Sequence, residues 1–188
     1  MRCAGNSWRY LFDIYGSVKM KSLLIPLIVI SFIFDALAQN DNHSNSGRRA
    51  PNFKLENLDR EVIELNDFVG KGPVLLCFWS SCCKSAVMQV EAFSSLYEKY
   101  KDKDFVILAI ATDDEKTVAK VKPFVMIKKY SFPVLYDTEG TVARMYYAYD
   151  MPFYVLIDNQ GNIVYSHLGY MKGDEIHVEE KIRNLLFK

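Results

Sequence analysis

Two short apolar runs, residues 74–79 and 105–111, constrain the fold more than any other feature of the chain. Each run is short enough to be a buried strand. Between them, apolar residues recur at helical spacing over about residues 83–100, which predicts an amphipathic helix. The sequence therefore predicts a core that starts with a strand, a helix and a second strand.

The flanking segments continue this alternation of strands and helices. A short strand pair is predicted at residues 53–55 and 62–65, and a strand, turn and strand at residues 153–157, 158–161 and 163–167. A further short strand is predicted at 134–136 and a short helix at 141–147. This order of elements implies an α/β domain whose central sheet is covered on both faces.

Two further helical segments carry specific expectations. After the second buried run, Asp113 or Asp114 is predicted to cap a helical region that Pro123 divides or restarts. Asp174 is predicted to cap the last helix. The expected core residues of that last helix are Ile176, Ile182, Leu185 and Leu186.

Composition limits the number of domains and the kind of partner. The chain has 188 residues, of which 50% are hydrophobic, enough for one domain with a sizeable core. Lys and Arg total 23, as do Asp and Glu, so the formal net charge is zero. Because no strongly basic or acidic tract is present, no nucleic acid partner is predicted.

The N-terminus has the pattern of an export signal. Basic residues at Lys19 and Lys21 precede an apolar run over residues 23–34, and small residues stand at Ala36 and Ala38. This pattern predicts a signal peptide over residues 1–38, cleaved after Ala38, and an exported, periplasmic or extracytoplasmic protein. The apolar run of about a dozen residues is shorter than the roughly 20 that a membrane span needs.

Two alternatives remain open at this end of the chain. Met20 is an alternative start, because a signal usually begins close to its basic residues. An uncleaved signal would instead anchor the protein, and only then is a membrane contact predicted. Residues 39–49 are polar and without apolar periodicity, which predicts a disordered linker before a domain at residues 50–188.

The cysteines indicate chemistry rather than a disulfide framework. Of the four, Cys3 lies in the predicted signal peptide, which leaves Cys77, Cys82 and Cys83. An odd number of thiols in an exported domain predicts at least one that is free or reactive. Cys77 lies inside a buried run and is interpreted as a core residue.

An ordered series of short motifs spans residues 50–169. They are Ala50-Pro51-Asn52-Phe53, Gly70-Lys71-Gly72, Phe78-Trp79, the segment 132–137, Met151-Pro152-Phe153, the segment 157–161 and Gly169. Together they resemble the thioredoxin superfamily, and within it the exported TlpA/ResA-like and redoxin proteins, over residues 50–187. The resemblance implies a thioredoxin-like fold, with a central mixed sheet flanked by helices on both faces and an N-terminal strand pair.

The resemblance also identifies a reactive cysteine and a missing one. The nucleophile of that family stands four residues after the tryptophan, at Cys83, where a helix N-terminus would favour the thiolate. Lys84 can add positive charge. Ala86 occupies the position of the second cysteine, and Ser85 a position where proline is common. If Cys82 were the nucleophile, Ser85 would occupy the second position, so neither register gives the dithiol motif.

Two neighbours of Cys83 also depart from the family pattern. Cys82 replaces the usual aromatic residue, and is interpreted either as a small apolar substitute or as the partner of Cys83 in a disulfide. That disulfide would be strained, because adjacent α-carbons lie about 3.8 Å apart and disulfides usually need more than about 4.4 Å. Gln89 stands where ResA-like members carry a glutamate, and an amide cannot accept a proton at neutral pH.

Met151 and Pro152 form the predicted substrate-binding element. The resemblance implies that their peptide bond is cis and lies opposite the thiol. The backbone of Met151 would then pair with an extended peptide, in the manner of strand addition. The context of the family motif favours cis here, although most X-Pro bonds are trans.

No cofactor or metal is predicted. The three histidines, His43, His167 and His177, are not placed beside Cys83 by the sequence. Cys82 and Cys83 alone would lack the usual set of four metal ligands.

Two classes of function remain. The first is an exported enzyme of thiol–disulfide exchange that acts through Cys83 alone on protein or small-molecule thiols and disulfides. A variant of it reduces peroxides, with Ser80 three residues before Cys83, although the proline upstream of such a hydroxyl residue is missing. The second is a non-catalytic module that binds an extended peptide or partner protein in the cis-proline groove.

Overall fold

A five-stranded mixed sheet forms the centre of the computed structural model, which describes residues 47–187. Two further strands form a separate antiparallel pair. The strands are β1 (Lys54–Glu56), β2 (Val62–Glu64), β3 (Val74–Trp79), β4 (Val106–Ala111), β5 (Val134–Tyr136), β6 (Phe153–Ile157) and β7 (Ile163–Leu168). The order in the main sheet is β5-β4-β3-β6-β7. Strand β3 runs parallel to β4 and antiparallel to β6.

Strand β3 is the middle of the sheet and is buried along its whole length. Its side chains alternate between two hydrophobic clusters on opposite faces. Leu75, Cys77 and Trp79 belong to one cluster. Val74, Leu76 and Phe78 belong to the other. A strand with both faces covered must be apolar at every position, which explains the continuous run in the sequence.

Within residues 47–187, four α-helices cover the two faces of the sheet. They are α1 (Lys84–Tyr100), α2 (Val121–Lys128), α3 (Thr141–Met145) and α4 (Asp174–Leu186). Buried residues of α1, α2 and α4 share the cluster that contains Trp79. Those of α3 and of the segment around the β1–β2 pair share the cluster that contains Phe78. The predicted fold class, with helices on both faces of a mixed sheet, is confirmed.

Residues 47–49 are ordered, although their polar composition predicts a linker. Gly47 donates a backbone hydrogen bond to the Ile163 carbonyl (2.7 Å), and Ile163 donates one to the Arg48 carbonyl (2.8 Å). The predicted linker, residues 39–49, is therefore wrong at its end, because residues 47–49 pair with the start of β7. Backbone pairing does not depend on apolar side chains, so a polar composition did not reveal it. The predicted signal peptide and residues 39–46 lie outside the described residues.

The last helix departs from the expectation in two respects. Ile176 is 70% exposed and is not a core residue, whereas Val178 and Ile182 are fully buried. Residues 178 and 182 lie four apart on one face of the helix, and Ile176 lies outside that face. Asp174 is the first helical residue rather than the cap, which is Gly173 at φ 112°. The Asp174 carboxylate instead accepts a hydrogen bond from the Met171 amide (2.7 Å).

The helical region after β4 also starts later than predicted. A 3₁₀ turn covers Val118–Lys120, and α2 begins at Val121. Pro123 lies in the first turn of α2, where a missing N–H leaves no hydrogen bond unmade. No helix within residues 47–187 is long and apolar enough to cross a membrane.

Candidate functional site

Cys83 is the residue that caps the N-terminus of α1. Its backbone is extended (φ −101°, ψ 108°), and its carbonyl accepts the first helical hydrogen bond from the Val87 amide (3.0 Å). The loop of residues 80–83 leads from the carboxyl end of β3 into this helix. The side chain of Cys83 is half-buried. The structure thus places the predicted nucleophile at a helix start, as the sequence predicted.

Two oxygen atoms lie close to the sulfur of Cys83. The Ser85 Oγ atom is 3.3 Å away, and either group could be the donor. The carbonyl oxygen of Met151 is 3.8 Å away and accepts from the thiol. The Cys83 side chain makes no capping hydrogen bond to the amides of α1. The start of α1 can therefore favour a thiolate at Cys83 through the helix dipole, and not through a hydrogen bond from its amides.

Met151 reaches the thiol because of strand pairing far from it in sequence. β6 lies beside β3, with Phe153 opposite Phe78. Met151 and Pro152 immediately precede β6, and the peptide bond between them is cis. Pro152 is buried, and its carbonyl accepts a hydrogen bond from the Gly169 amide (2.7 Å). Sheet topology thus brings the predicted substrate-binding residues to the predicted nucleophile.

Residue 86, where the family resemblance implies a second cysteine, is part of the core. Ala86 is fully buried and packs in the cluster that contains Trp79. One turn further along α1, Gln89 is also fully buried, and within the described residues both polar atoms of its side chain lack a hydrogen-bond partner. Burying an unpaired amide is unfavourable by about 1–3 kcal/mol. The two positions therefore place one methyl group and one neutral amide in the interior of the protein.

The other predicted auxiliary residues contact different atoms. Cys82 is exposed, and its sulfur lies 3.9 Å from the Ser81 hydroxyl and 4.0 Å from the Lys120 ammonium. Both Cys82 and Cys83 are free thiols. Lys84 is exposed, and the cation beside a thiol is Lys120, 38 residues from Cys82. The sequence carried no signal for Lys120, because its approach depends on how α2 packs.

A buried carboxylate holds the loop that carries both thiols. Asp113 is 1% exposed and accepts two hydrogen bonds from Ser81, one from the amide (2.8 Å) and one from the hydroxyl (2.5 Å). It was predicted as a helix cap, and that prediction is wrong. Asp113 meets Ser81 because β3 and β4 are parallel neighbours. Residues that follow neighbouring parallel strands meet at one edge of the sheet. The contact follows from this rule once β3 and β4 are known to be parallel neighbours.

The two residues beside this anchor have local roles. Asp114 does not cap a helix either; its carboxylate accepts from the amides of Lys116 and Thr117, in the turn before the 3₁₀ segment. The Ser80 hydroxyl accepts from the Cys82 amide (3.3 Å). Ser80 therefore supports the loop backbone.

Cys77, His167 and His177 lie outside this site. Cys77 is completely buried in β3, and burial raises its pKa far above the ordinary value. The rings of His167 and His177 both contact Tyr165, and His43 is outside the described residues. Within residues 47–187 there is no group of three or more His, Cys, Asp or Glu side chains that could hold a metal ion.

Comparison with known proteins places these observations in a family context. Residues 46–166 match the AhpC/TSA family. The thiol-disulfide oxidoreductase ResA of Bacillus thuringiensis subsp. konkukian is 34% identical, over 89% of this chain and 99% of its own. ResA of Bacillus cereus is 30% identical over the same shares of the two chains. A putative thiol:disulfide interchange protein DsbE from Chlorobium tepidum is 29% identical and superposes with a TM-score of 0.69, covering 75% of this chain and 97% of that one.

Proposed function

The chain belongs to the AhpC/TSA family, and from that premise we propose that it carries out thiol–disulfide exchange through the single thiol of Cys83. The observation that carries the proposal is the position of the Cys83 sulfur at the start of α1, 3.8 Å from the Met151 carbonyl. Relatives that are about a third identical over nearly their whole length are named as thiol-disulfide oxidoreductases, which supports the same class of reaction.

The proposed reaction has two exchange steps. After its proton is lost to solvent, the Cys83 thiolate attacks one sulfur of a substrate disulfide. A mixed disulfide forms, and the other substrate sulfur leaves as a thiolate. An external thiolate then attacks the substrate sulfur of the mixed disulfide and expels Cys83 as a thiolate. The substrate sulfur ends in a new disulfide with the external thiol, so the electrons come from that thiol.

The surroundings of Cys83 support a mechanism that uses one cysteine. Ala86 puts a methyl group where a second sulfur would attack the mixed disulfide. The sulfurs of Cys82 and Cys83 also face different neighbours, Lys120 for the first and Met151 for the second. Because the two sulfurs have different neighbours and are not bonded to each other, release by an external thiol is the simpler route.

The decisive experiment is the capture of mixed disulfides in the cell compartment where the protein resides. Since nothing in the chain is proposed to resolve them, the unmodified protein should accumulate partners in bonds that dithiothreitol releases. Cys82→Ser should still capture partners, and Cys83→Ser should not. Capture that depends on Cys82, or no capture at all, would contradict the mechanism.

Binding without catalysis is the second candidate, and the carbonyl of the half-buried Met151 favours it. The carbonyl of Met151 is an acceptor that an extended peptide could use for strand addition. If this were the function, Cys83→Ser would retain partners that co-purify without a covalent bond. If Cys82→Ser and Cys83→Ser both retained the same partners, binding would be favoured over exchange.

We also propose that the protein is exported after cleavage behind Ala38. The proposal rests on Lys19, Lys21 and the apolar run over residues 23–34. The mature chain should then begin at Gln39, which N-terminal peptide mapping of the secreted fraction would detect. An intact N-terminus in a membrane fraction would indicate an uncleaved anchor instead.

A further inference from the structure

We propose that the Ser85 hydroxyl is a catalytic group that donates a hydrogen bond to the Cys83 thiolate and stabilises it as nucleophile and as leaving group. The inference deepens the proposed exchange reaction and rests on it. It starts from one contact, the 3.3 Å distance between the Ser85 Oγ atom and the Cys83 Sγ atom. The sequence indicated only that Ser85 stands where related proteins commonly have proline.

The local geometry leaves stabilisation of the Cys83 thiolate to a side chain. Ser85 is the second residue of α1 and is half-buried. A cap residue commonly accepts a hydrogen bond from an amide of the first helical turn, but the Cys83 side chain makes no such bond. Within the described residues, the hydroxyl of Ser85 is thus the group at the sulfur of Cys83 that is able to donate a hydrogen bond to it.

The positions of the protons decide which contact favours which state of Cys83. In the neutral thiol, the S–H group can donate to the Met151 carbonyl, so that contact favours the protonated form. The carbonyl has no proton to give, and it offers nothing to a thiolate. The Ser85 hydroxyl keeps its proton when Cys83 ionises, so it becomes the donor in a charge-assisted hydrogen bond. The two contacts therefore favour opposite ionisation states.

Stabilising the Cys83 thiolate assists both steps of the proposed exchange, the second of which has no internal thiol at residue 86. In the first step it raises the share of Cys83 present as thiolate, which is the nucleophilic form. In the second step Cys83 must leave when an external thiol attacks the mixed disulfide, and a better stabilised thiolate leaves faster. A hydroxyl at residue 85 therefore assists release in a chain that lacks an internal thiol at residue 86.

The test is the pH profile of iodoacetamide alkylation at Cys83, measured by mass spectrometry in a Cys82→Ser background. Ser85→Ala should alkylate about threefold to tenfold more slowly near neutral pH, because a hydrogen bond to a charged group is lost at a half-exposed site. As the pH rises the two rates should converge, because the expected difference lies in the share of thiolate and not in access to the sulfur.

Three control variants separate chemistry from structure. Ser85→Thr keeps the hydroxyl and should keep the profile. Ser85→Pro should resemble Ser85→Ala, since proline is tolerated in the first turn of a helix. Ser80→Ala removes a hydroxyl that faces the Cys82 amide and should leave the profile unchanged. Superimposable profiles for Ser85→Ala and its parent, or an equal slowing at every pH, would overturn the proposal.

The measurement is independent of substrate exchange. A profile that depends on Ser85, combined with failure to capture any mixed disulfide, would uphold the role of Ser85 and reject the proposed function. Capture that depends on Cys83, combined with a pH profile that does not depend on Ser85, would uphold the proposed function and reject the role of Ser85.

Discussion

The carbonyl oxygen of Met151 lies 3.8 Å from the sulfur of Cys83, although 68 residues separate them in the chain. The antiparallel pairing of β6 with β3 sets this approach, since Cys83 follows β3 and Met151 precedes β6. A half-buried thiol thereby faces a backbone acceptor at the edge of the sheet. In the proposed exchange reaction, a substrate disulfide would reach the sulfur beside this carbonyl.

Restoring the absent thiol should change the chemistry of the site. Ala86→Cys places a second sulfur one helical turn from Cys83, so mild oxidation should form an internal disulfide and mixed disulfides should no longer accumulate. Because Ala86 is fully buried, the larger side chain should lower the free energy of unfolding by at most about 3 kcal/mol. Thiol counting after oxidation measures the disulfide. Ala86→Ser is the control, and retention of both thiols in the cysteine variant would contradict the expectation.

Loss of the Asp113 carboxylate should loosen the loop that carries the thiols. Asp113→Ala removes both hydrogen bonds to Ser81, and buried bonds to a charged group contribute about 1.5–3 kcal/mol each. In urea unfolding, the free energy of unfolding should fall by at least about 1.5 kcal/mol. In the folded variant, Cys82 and Cys83 should alkylate at rates that differ from those of the unsubstituted protein. Asp114→Ala, at the exposed neighbour, should leave both alkylation rates unchanged. Equal effects of the two substitutions would argue against a specific anchor.

The two isoleucines of α4 should differ sharply in their effect on stability. Ile182→Ala should lower the free energy of unfolding by about 2–5 kcal/mol, because the side chain is fully buried. Ile176→Ala should change it by about 0.5 kcal/mol or less, because Ile176 is 70% exposed. Paired chemical denaturation curves measure both values. A large loss at Ile176 would indicate a partner surface on this helix.

Stability at acid pH should depend on Glu179. Its carboxylate accepts hydrogen bonds from Lys99 and from Tyr100, and these lower its pKa, with the Lys99 bond the larger cause. The unfolded chain therefore binds this proton more readily than the folded one. The contribution is complete above the ordinary value of about 4.3 and is lost as the pH falls through the lowered folded pKa.

Glu179→Gln should flatten that part of the stability profile. The difference in unfolding free energy between neutral pH and about pH 3 should shrink by about 1 kcal/mol or less, since the ion pair is partly exposed. Urea unfolding at a series of pH values measures it. Glu180→Gln, on the exposed side of the same helix, is the control. An unchanged acid dependence in Glu179→Gln would show that the ion pair contributes nothing measurable.

Much of the fold follows from local pattern. The uninterrupted apolar runs of β3 and β4 predict strands covered on both faces, and the helical spacing after Cys83 predicts α1; all three elements form. Ile176 was misassigned because a single apolar residue near a helix start can lie on either face. Helical spacing explains its exposure, since Val178 and Ile182 share the buried face of α4 and Ile176 lies outside that face.

The sequence by itself determined the thiol at Cys83, the helix start that carries it, and the alanine at residue 86, because these depend on residues within one turn of chain. The tertiary structure alone decided what surrounds that thiol. Asp113 meets Ser81 across 32 residues, Lys120 meets Cys82 across 38, and Met151 meets Cys83 across 68. These contacts require the order and register of the strands. Hydrophobic periodicity specifies which face of a strand is buried, and it does not specify which strand becomes its neighbour.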